Sequence, residues 1–186
     1  MRQNILGGLV PGHSQAESDP DRYVHGGNIR KLAERAGRRP EDIVDFSASI
    51  NPLGPPSWLE EEVAAALAEV AHYPDPDAGD LTLAACERYK VWPNQALAGN
   101  GVSELLMAVC QLAARMGLGR AIIPTPAYVD VDRCCRLAGL AVEPLPCTAQ
   151  SGFAPDLERL AAMLQADRGR GPALVMLASP NNPTGT

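Results

Sequence analysis

The chain has 186 residues, 46% of them apolar, and a formal net charge of −6. That length allows one domain with a sizeable core, while the acidic balance argues against nucleic acid or an anionic membrane surface as partner, since both attract clustered Lys and Arg. No apolar run approaches the ~20 residues of a membrane-spanning helix, and residues 1–23 lack the apolar core and cleavage site of a signal peptide. Cys86, Cys110, Cys134, Cys135 and Cys147 form no Cys-x-x-Cys pair and fall in helix or strand interiors, so they read as buried thiols of a cytoplasmic protein. The three histidines stand at no ligand spacing, and no metal site is expected.

Residues 1–22 are polar and aperiodic and read as a flexible tail. His25-Gly26-Gly27-Asn28 leads into a short helix carrying Ile29, Leu32, Ala33 and Ala36 on one face and closed by Gly37. Two glycines before a helix start present free amides to an anion, and the histidine adds a donor; an ordinary Gly-rich turn is the plainer alternative. Ile43–Phe46 is a short strand candidate, and Asn51–Pro56 is a stiff turn. Ser57 with Glu60 has the capping-box spacing for a helix burying Leu59, Val63, Leu67 and Val70. A second helix is expected from about Asp80 to Lys90, after the break at His72–Asp77.

From there strand and helix alternate. Ala96–Ala98 leads through Gly99-Asn100-Gly101 into a helix burying Leu105, Leu106, Val109, Leu112 and Met116. The strand Ala121–Ile123 meets Pro124–Tyr128, and a helix follows to near Gly139. Then come a strand over Ala141–Leu145, a helix opened by Pro155 and Asp156, and the apolar run Ala173–Ala178, which reads as a strand buried on both faces. Short connections between alternating elements make these βαβ units of a mostly parallel sheet.

In such a sheet the strand carboxyl ends share one edge, where ligands bind. Three loops should meet there: Gly99–Ser103, Pro124–Tyr128 and Ser179–Gly185. The first suits a phosphate, held on the amides of Gly101, Val102 and Ser103. The second supplies Tyr128, an aromatic to lie flat on a ring, and the third offers the Asn182 amide to a ring oxygen. Singly, each is equally a tight turn, a packing tyrosine or a turn asparagine. A dinucleotide fingerprint is disfavoured, because Glu104 takes the third glycine's place and Pro124 stands where a ribose-binding acid belongs. Together the loops point to a phosphorylated heteroaromatic cofactor.

Asn182-Pro183-Thr184-Gly185 resembles the signature of fold-type I pyridoxal-phosphate enzymes, the aminotransferase superfamily. His25-Gly26-Gly27-Asn28, Asp45 through Gly54, Tyr73-Pro74-Asp75 and Ala98-Gly99-Asn100-Gly101 are together similar to the threonine-phosphate decarboxylases of cobalamin biosynthesis, close relatives of the histidinol-phosphate aminotransferases. The resemblance runs from about His25 to Gly185. It implies an α/β fold of three layers, α/β/α, around a mostly parallel sheet. It divides the chain into the tail, a small-domain segment over 23–60, and the first half of the large cofactor-binding domain over 61–186. It implies pyridoxal 5'-phosphate as cofactor, its phosphate on Gly101, Val102 and Ser103, its ring under Tyr128, and its phenolic oxygen on Asn182, which also touches the substrate. Tyr73 would reach the cofactor phosphate of another subunit, implying a homodimer. His25 and Gly26 would hold the phosphate of a small phosphorylated amino acid. Ser49 departs from the family's usual Ser-Ala-Asn-Ile-Asn at its first asparagine, a residue that helps grip that phosphate.

Such enzymes also need a Schiff-base lysine and an acid at the pyridine nitrogen, both downstream of Asn-Pro-Thr-Gly in the family. Lys31 and Lys90 precede the sheet and lie in no Ser-x-x-Lys context, so no catalytic residue is expected here and the Schiff-base lysine is expected beyond Thr186. The expectation is therefore the first half of a longer lyase, inactive alone, with apolar surface and strand edges exposed. A histidinol-phosphate-type aminotransferase and a non-catalytic module that binds a partner are the alternatives.

Overall fold

The computed structural model describes residues 25–166, 169 and 171–186; the expected tail, residues 1–22, lies outside them. Among the described residues, six α-helices and three strands run in the order α1 (Ile29–Ala36), α2 (Leu59–Ala66), α3 (Gly79–Tyr89), α4 (Val102–Arg115), β1 (Arg120–Thr125), α5 (Val129–Leu137), β2 (Ala141–Pro146), α6 (Leu157–Ala166) and β3 (Ala173–Val175). The strands form one parallel sheet ordered β2-β1-β3. β1 pairs with β2 from Arg120↔Ala141 to Thr125↔Pro146, and with β3 from Arg120↔Ala173 to Ile122↔Val175.

The two-residue period of β1 separates two cores. Ala121 and Ile123 face α4 and α5, where they pack with Cys110, Ala113, Cys134, Cys135 and Leu140. Ile122 faces the other way and packs with Leu145 and with Leu160 of α6. Helices thus cover both faces of a parallel sheet, the three-layer arrangement expected. Ile122, Ile123 and Leu145 are nearly or fully buried, each contributing about 1.5–3 kcal/mol by leaving water. Arg120, also buried, is neutralised by Glu143 on the adjacent strand at 3.1 Å.

Helix boundaries follow local chemistry. Asn28 caps α1 by accepting from the Lys31 amide at 3.0 Å, and Gly37 ends it in a left-handed conformation. Asp156 caps α6 through the Arg159 amide at 2.9 Å. At α2, however, Ser57 makes no capping box: the helix starts two residues later, with Trp58 at the cap position and no side-chain bond there.

Three further expectations are corrected. Ile43–Phe46 and Ala96–Ala98 are not strands; at the first, the Asp45 carboxylate takes the Ser47 amide at 2.8 Å, a local turn that competes with strand pairing. β3 ends at Val175, with one more bond from the Met176 amide to the Ile122 carbonyl at 3.1 Å. The expected buried face of α2 is wrong throughout, and that of α4 in part. Leu59, Val63, Leu67 and Val70 are all exposed, as are Val109, Leu112 and Met116. α4 instead buries Cys110 and Ala113, small side chains that let it approach α5 closely. Leu105 and Leu106 are half-buried. All five cysteines are free thiols, and only Cys147 is partly exposed.

Candidate active site

The carboxyl end of β1 and the start of α4 and α5 define the site. Gly101 has φ +86°, a backbone that side chains with a Cβ rarely adopt, and it turns the chain into α4. The Gly101 amide bonds the Gly99 carbonyl at 2.8 Å, and the Asn100 amide bonds the Glu104 carboxylate. Glu104, the residue that spoils the dinucleotide pattern, thereby closes the loop on its own helix. The amides of Val102 and Ser103 remain: as the first two of a 14-residue helix they have no intrahelical acceptor. The positive end of the helix dipole favours an anion at that spot.

Tyr128 stands at the cap of α5, two residues before Asp130, which is only 5% exposed. Three loops converge on that carboxylate. Its Oδ2 accepts from the Ser103 hydroxyl and from the Tyr128 hydroxyl at 3.0 Å, and its Oδ1 lies 3.2 Å from His25 Nε2. Arg133 Nη1, one turn along α5, is 3.9 Å away. Burial pushes the Asp130 carboxyl up, but the Ser103 and Tyr128 hydroxyls, with the charges of His25 and Arg133, outweigh it and hold it below the usual carboxylate range. The His25 and Tyr128 rings are tilted at 46°, with centroids 5.7 Å apart.

His25 is carried by an arm docked at a second point. The Gly27 amide donates to Ser47 Oγ at 2.9 Å, and Ser47 Oγ in turn donates to Asp45 at 2.5 Å. A Cβ built on Gly26 would fall 1.7 Å from the Ser47 carbonyl oxygen, so glycine is required here by crowding. The third loop is tied to the second: Asn181 Nδ2 donates to the Pro126 carbonyl at 3.0 Å and to Thr184 Oγ1 at 2.8 Å. Thr186 folds back on the same loop, its carbonyl accepting from the Asn181 amide at 2.6 Å and its hydroxyl meeting that of Thr184 at 2.8 Å.

Of the residues singled out from sequence, Ser103, Tyr128, His25, Gly101 and Val102 thus gather at one rim, with Gly26 in the docked arm. Asn182 lies in the tethered loop, exposed and without a side-chain hydrogen bond among the described residues. Ser49 is exposed and likewise makes none, its neighbour Ser47 holding the arm instead. Tyr73 is fully exposed. Asp130 and Asn181 were not foreseen in these roles. An acid in the first turn of a helix is ordinary, and the Asn181-Asn182 pair gives no sign of which member holds the loop.

The profile of the family described as aminotransferase class I and II matches residues 41–186. The chain belongs to that family. It is 34% identical over 164 residues to the threonine-phosphate decarboxylase of Salmonella typhimurium, covering 87% of this chain and 42% of the relative. It is 28% identical over 186 residues to the histidinol-phosphate aminotransferase of Stutzerimonas stutzeri, covering all of this chain and 47% of that one. The histidinol-phosphate aminotransferase structure from Sinorhizobium meliloti, solved in complex with pyridoxal-5'-phosphate, superposes with a TM-score of 0.65 at 22% identity, over 90% of this chain and 44% of that one. The chain therefore has the fold of the family's pyridoxal-phosphate enzymes, and it spans less than half the length of the relatives it matches.

Proposed function

We propose that the protein containing this chain is a pyridoxal-phosphate enzyme that decarboxylates L-threonine O-3-phosphate. The observation that carries the reading is the meeting of the α4 start, Tyr128 and His25 around Asp130, which sets two anion sites and one aromatic side chain side by side. The residues fit the cofactor: the unbonded amides of Val102 and Ser103 suit a phosphate at a helix start, and Tyr128 offers a ring for stacking beside it. When bound, pyridoxal phosphate supplies an electron sink for whichever bond at the substrate α-carbon stands perpendicular to its ring.

This chain's part is orientation. Val102 and Ser103 hold the cofactor phosphate, and Tyr128 lies against the ring. Asn182 serves the ring oxygen, in a loop tethered by Asn181. His25 and the Gly26 arm grip the substrate phosphate, and Ser49 lies on the loop next to Ser47, which anchors that arm. Fixing the substrate by its phosphate selects the bond that breaks. Tyr73, fully exposed, is assigned to the cofactor phosphate of a second subunit in a cytoplasmic homodimer. Residues 23–60 belong on this reading to a small domain and 61–186 to the large one. The lysine that carries the cofactor belongs beyond Thr186, since Lys31 sits in α1 and Lys90 at the end of α3, so residues 1–186 by themselves are inactive.

Histidinol-phosphate aminotransfer is the second reading, favoured by a match that covers the whole chain. Both substrates carry a phosphate for His25, and they differ in the bond broken. The test is the full-length gene product, assayed for CO₂ release from O-phospho-L-threonine and for amino transfer from histidinol phosphate. CO₂ release without transfer supports the first reading, and transfer without CO₂ release replaces it with the second.

A further inference from the structure

Asp130 is charged, buried and placed between two sites for anions, an arrangement that needs a reason. A carboxylate beside a phosphate is repulsive, at about 1 kcal/mol across 4 Å even in bulk water and more inside a protein. It is retained at low cost only if it does something for the groups that bind the phosphates. Its partners are the observation. One oxygen takes the hydroxyls of Ser103 and Tyr128, and the other faces His25 Nε2. These side chains come from three separate stretches, 103, 128 and 25, and no other described side chain joins all three.

Each contact has a chemical consequence. A carboxylate oxygen 3.2 Å from His25 Nε2, itself accepting no hydrogen bond among the described residues, holds the ring by charge pairing when the imidazole is protonated. The Ser103 hydroxyl, donating to Asp130, fixes the first turn of α4, whose free amides hold the phosphate. The Tyr128 hydroxyl is tied to Asp130 at 3.0 Å, which fixes the orientation of the ring.

Resting on the functional reading above and deepening it, we propose that Asp130 is a positioning residue that joins the substrate-phosphate site at His25 to the cofactor cradle at Ser103 and Tyr128. It touches neither ligand. It acts through the three side chains it holds, and the affinities of the two sites therefore depend on one carboxylate.

The experiment uses the full-length protein with Asp130→Asn, which keeps the shape, and Asp130→Ala, with far-ultraviolet circular dichroism and thermal unfolding as checks of folding. The first readout is a spectrophotometric titration with pyridoxal phosphate. The second is the KM for O-phospho-L-threonine, with kcat measured separately, in wild-type and His25→Gln backgrounds. Loss of a charge-assisted hydrogen bond corresponds to a change of about tenfold. The expected result is a dissociation constant for pyridoxal phosphate raised about tenfold in D130N. KM should rise by a similar factor in the wild-type background and by less than about twofold in H25Q, because the residue acts on substrate through His25. The proposal is overturned if D130N leaves pyridoxal phosphate affinity within about twofold of wild type, or if its effect on KM is undiminished in H25Q. A protein that binds pyridoxal phosphate but accepts no phosphorylated amino acid refutes the functional reading alone, and the cofactor titration then decides on Asp130. A protein that does not bind pyridoxal phosphate refutes both.

Discussion

Replacing Gly26 with alanine is a sharp probe of the arm that carries His25. The added Cβ would sit 1.7 Å from the Ser47 carbonyl oxygen and 2.5 Å from its carbon, so arm and loop must separate by at least 1.3 Å to reach a tolerable 3.0 Å. Both atoms are backbone, so no side-chain rotation relieves the clash. The arm's other anchors are the Gly27 amide on Ser47 at 2.9 Å and His25 Nε2 on Asp130 at 3.2 Å. A shift of that size takes the first beyond hydrogen-bonding range and stretches the second, an ion pair, past 4 Å. Gly26 is exposed and lies outside both cores, so global stability should change little, by about 1 kcal/mol or less. On the proposed function, in which His25 grips the substrate phosphate, substrate affinity should suffer instead. Losing one ion-paired donor to a phosphate costs about 1.5–3 kcal/mol, a ten- to hundredfold rise in KM at little change in kcat. The assay is steady-state kinetics with the phosphorylated amino acid, accompanied by a thermal melt. A G26A protein with wild-type KM would refute the reasoning, because the arm would then have moved without consequence. A protein that melts far below wild type would show that the arm supports the fold.

The remaining predictions concern the body of the fold. Glu143→Ala removes the carboxylate at 3.1 Å from the buried Arg120 guanidinium and should cost about 2 kcal/mol, less than the 3–5 of a fully buried pair because Glu143 reaches solvent; chemical denaturation measures it. Thiol labelling at pH 8 followed by peptide mapping should modify Cys147 first among the five. Cys135 should be slowest, since burial pushes its thiol up to about 12 and leaves little thiolate. The Asp130 carboxyl lies below its ordinary value when folded, so the stability it adds is present above the unfolded value near 4 and is lost as pH falls through the folded one. D130N should accordingly flatten the acid limb of the stability curve below about pH 4 and leave the shape from pH 5 to 8 unchanged, as read from melts across that range.

The elements with strong pattern were legible from residues alone. β1, β2 and α4 to α6 stand where alternation, caps and turn residues put them, because tertiary packing there agrees with local preference. Ile43–Phe46 failed because so short a strand needs a partner strand, and Asp45 satisfied the backbone locally instead. The inward faces of α2 and α4 failed for another reason. α2 carries three glutamates in its first turn and buries no residue, so its apolar stripe meets no described neighbour, whereas on α4 the small residues mark the buried stripe. At the site, loop chemistry put Ser103 and Tyr128 on one rim, while the meeting of His25 with them was not read from sequence. Asp130 was invisible because its significance lies in a contact 105 residues away in sequence, from His25, and in another 27 residues away, from Ser103.

The thiols of Cys110 and Cys135 lie 3.6 Å apart, deep between α4 and α5. Those two helices are also the ones whose first turns carry Ser103 and Asp130. Slim side chains further along both helices therefore act as the spacer of a caliper whose jaws are the binding rim. Widening that spacer by a few methylenes, at a place no ligand visits, would prise the jaws apart, so the tolerance of the helix seam to bulk and the grip on the cofactor are one and the same dimension of the molecule.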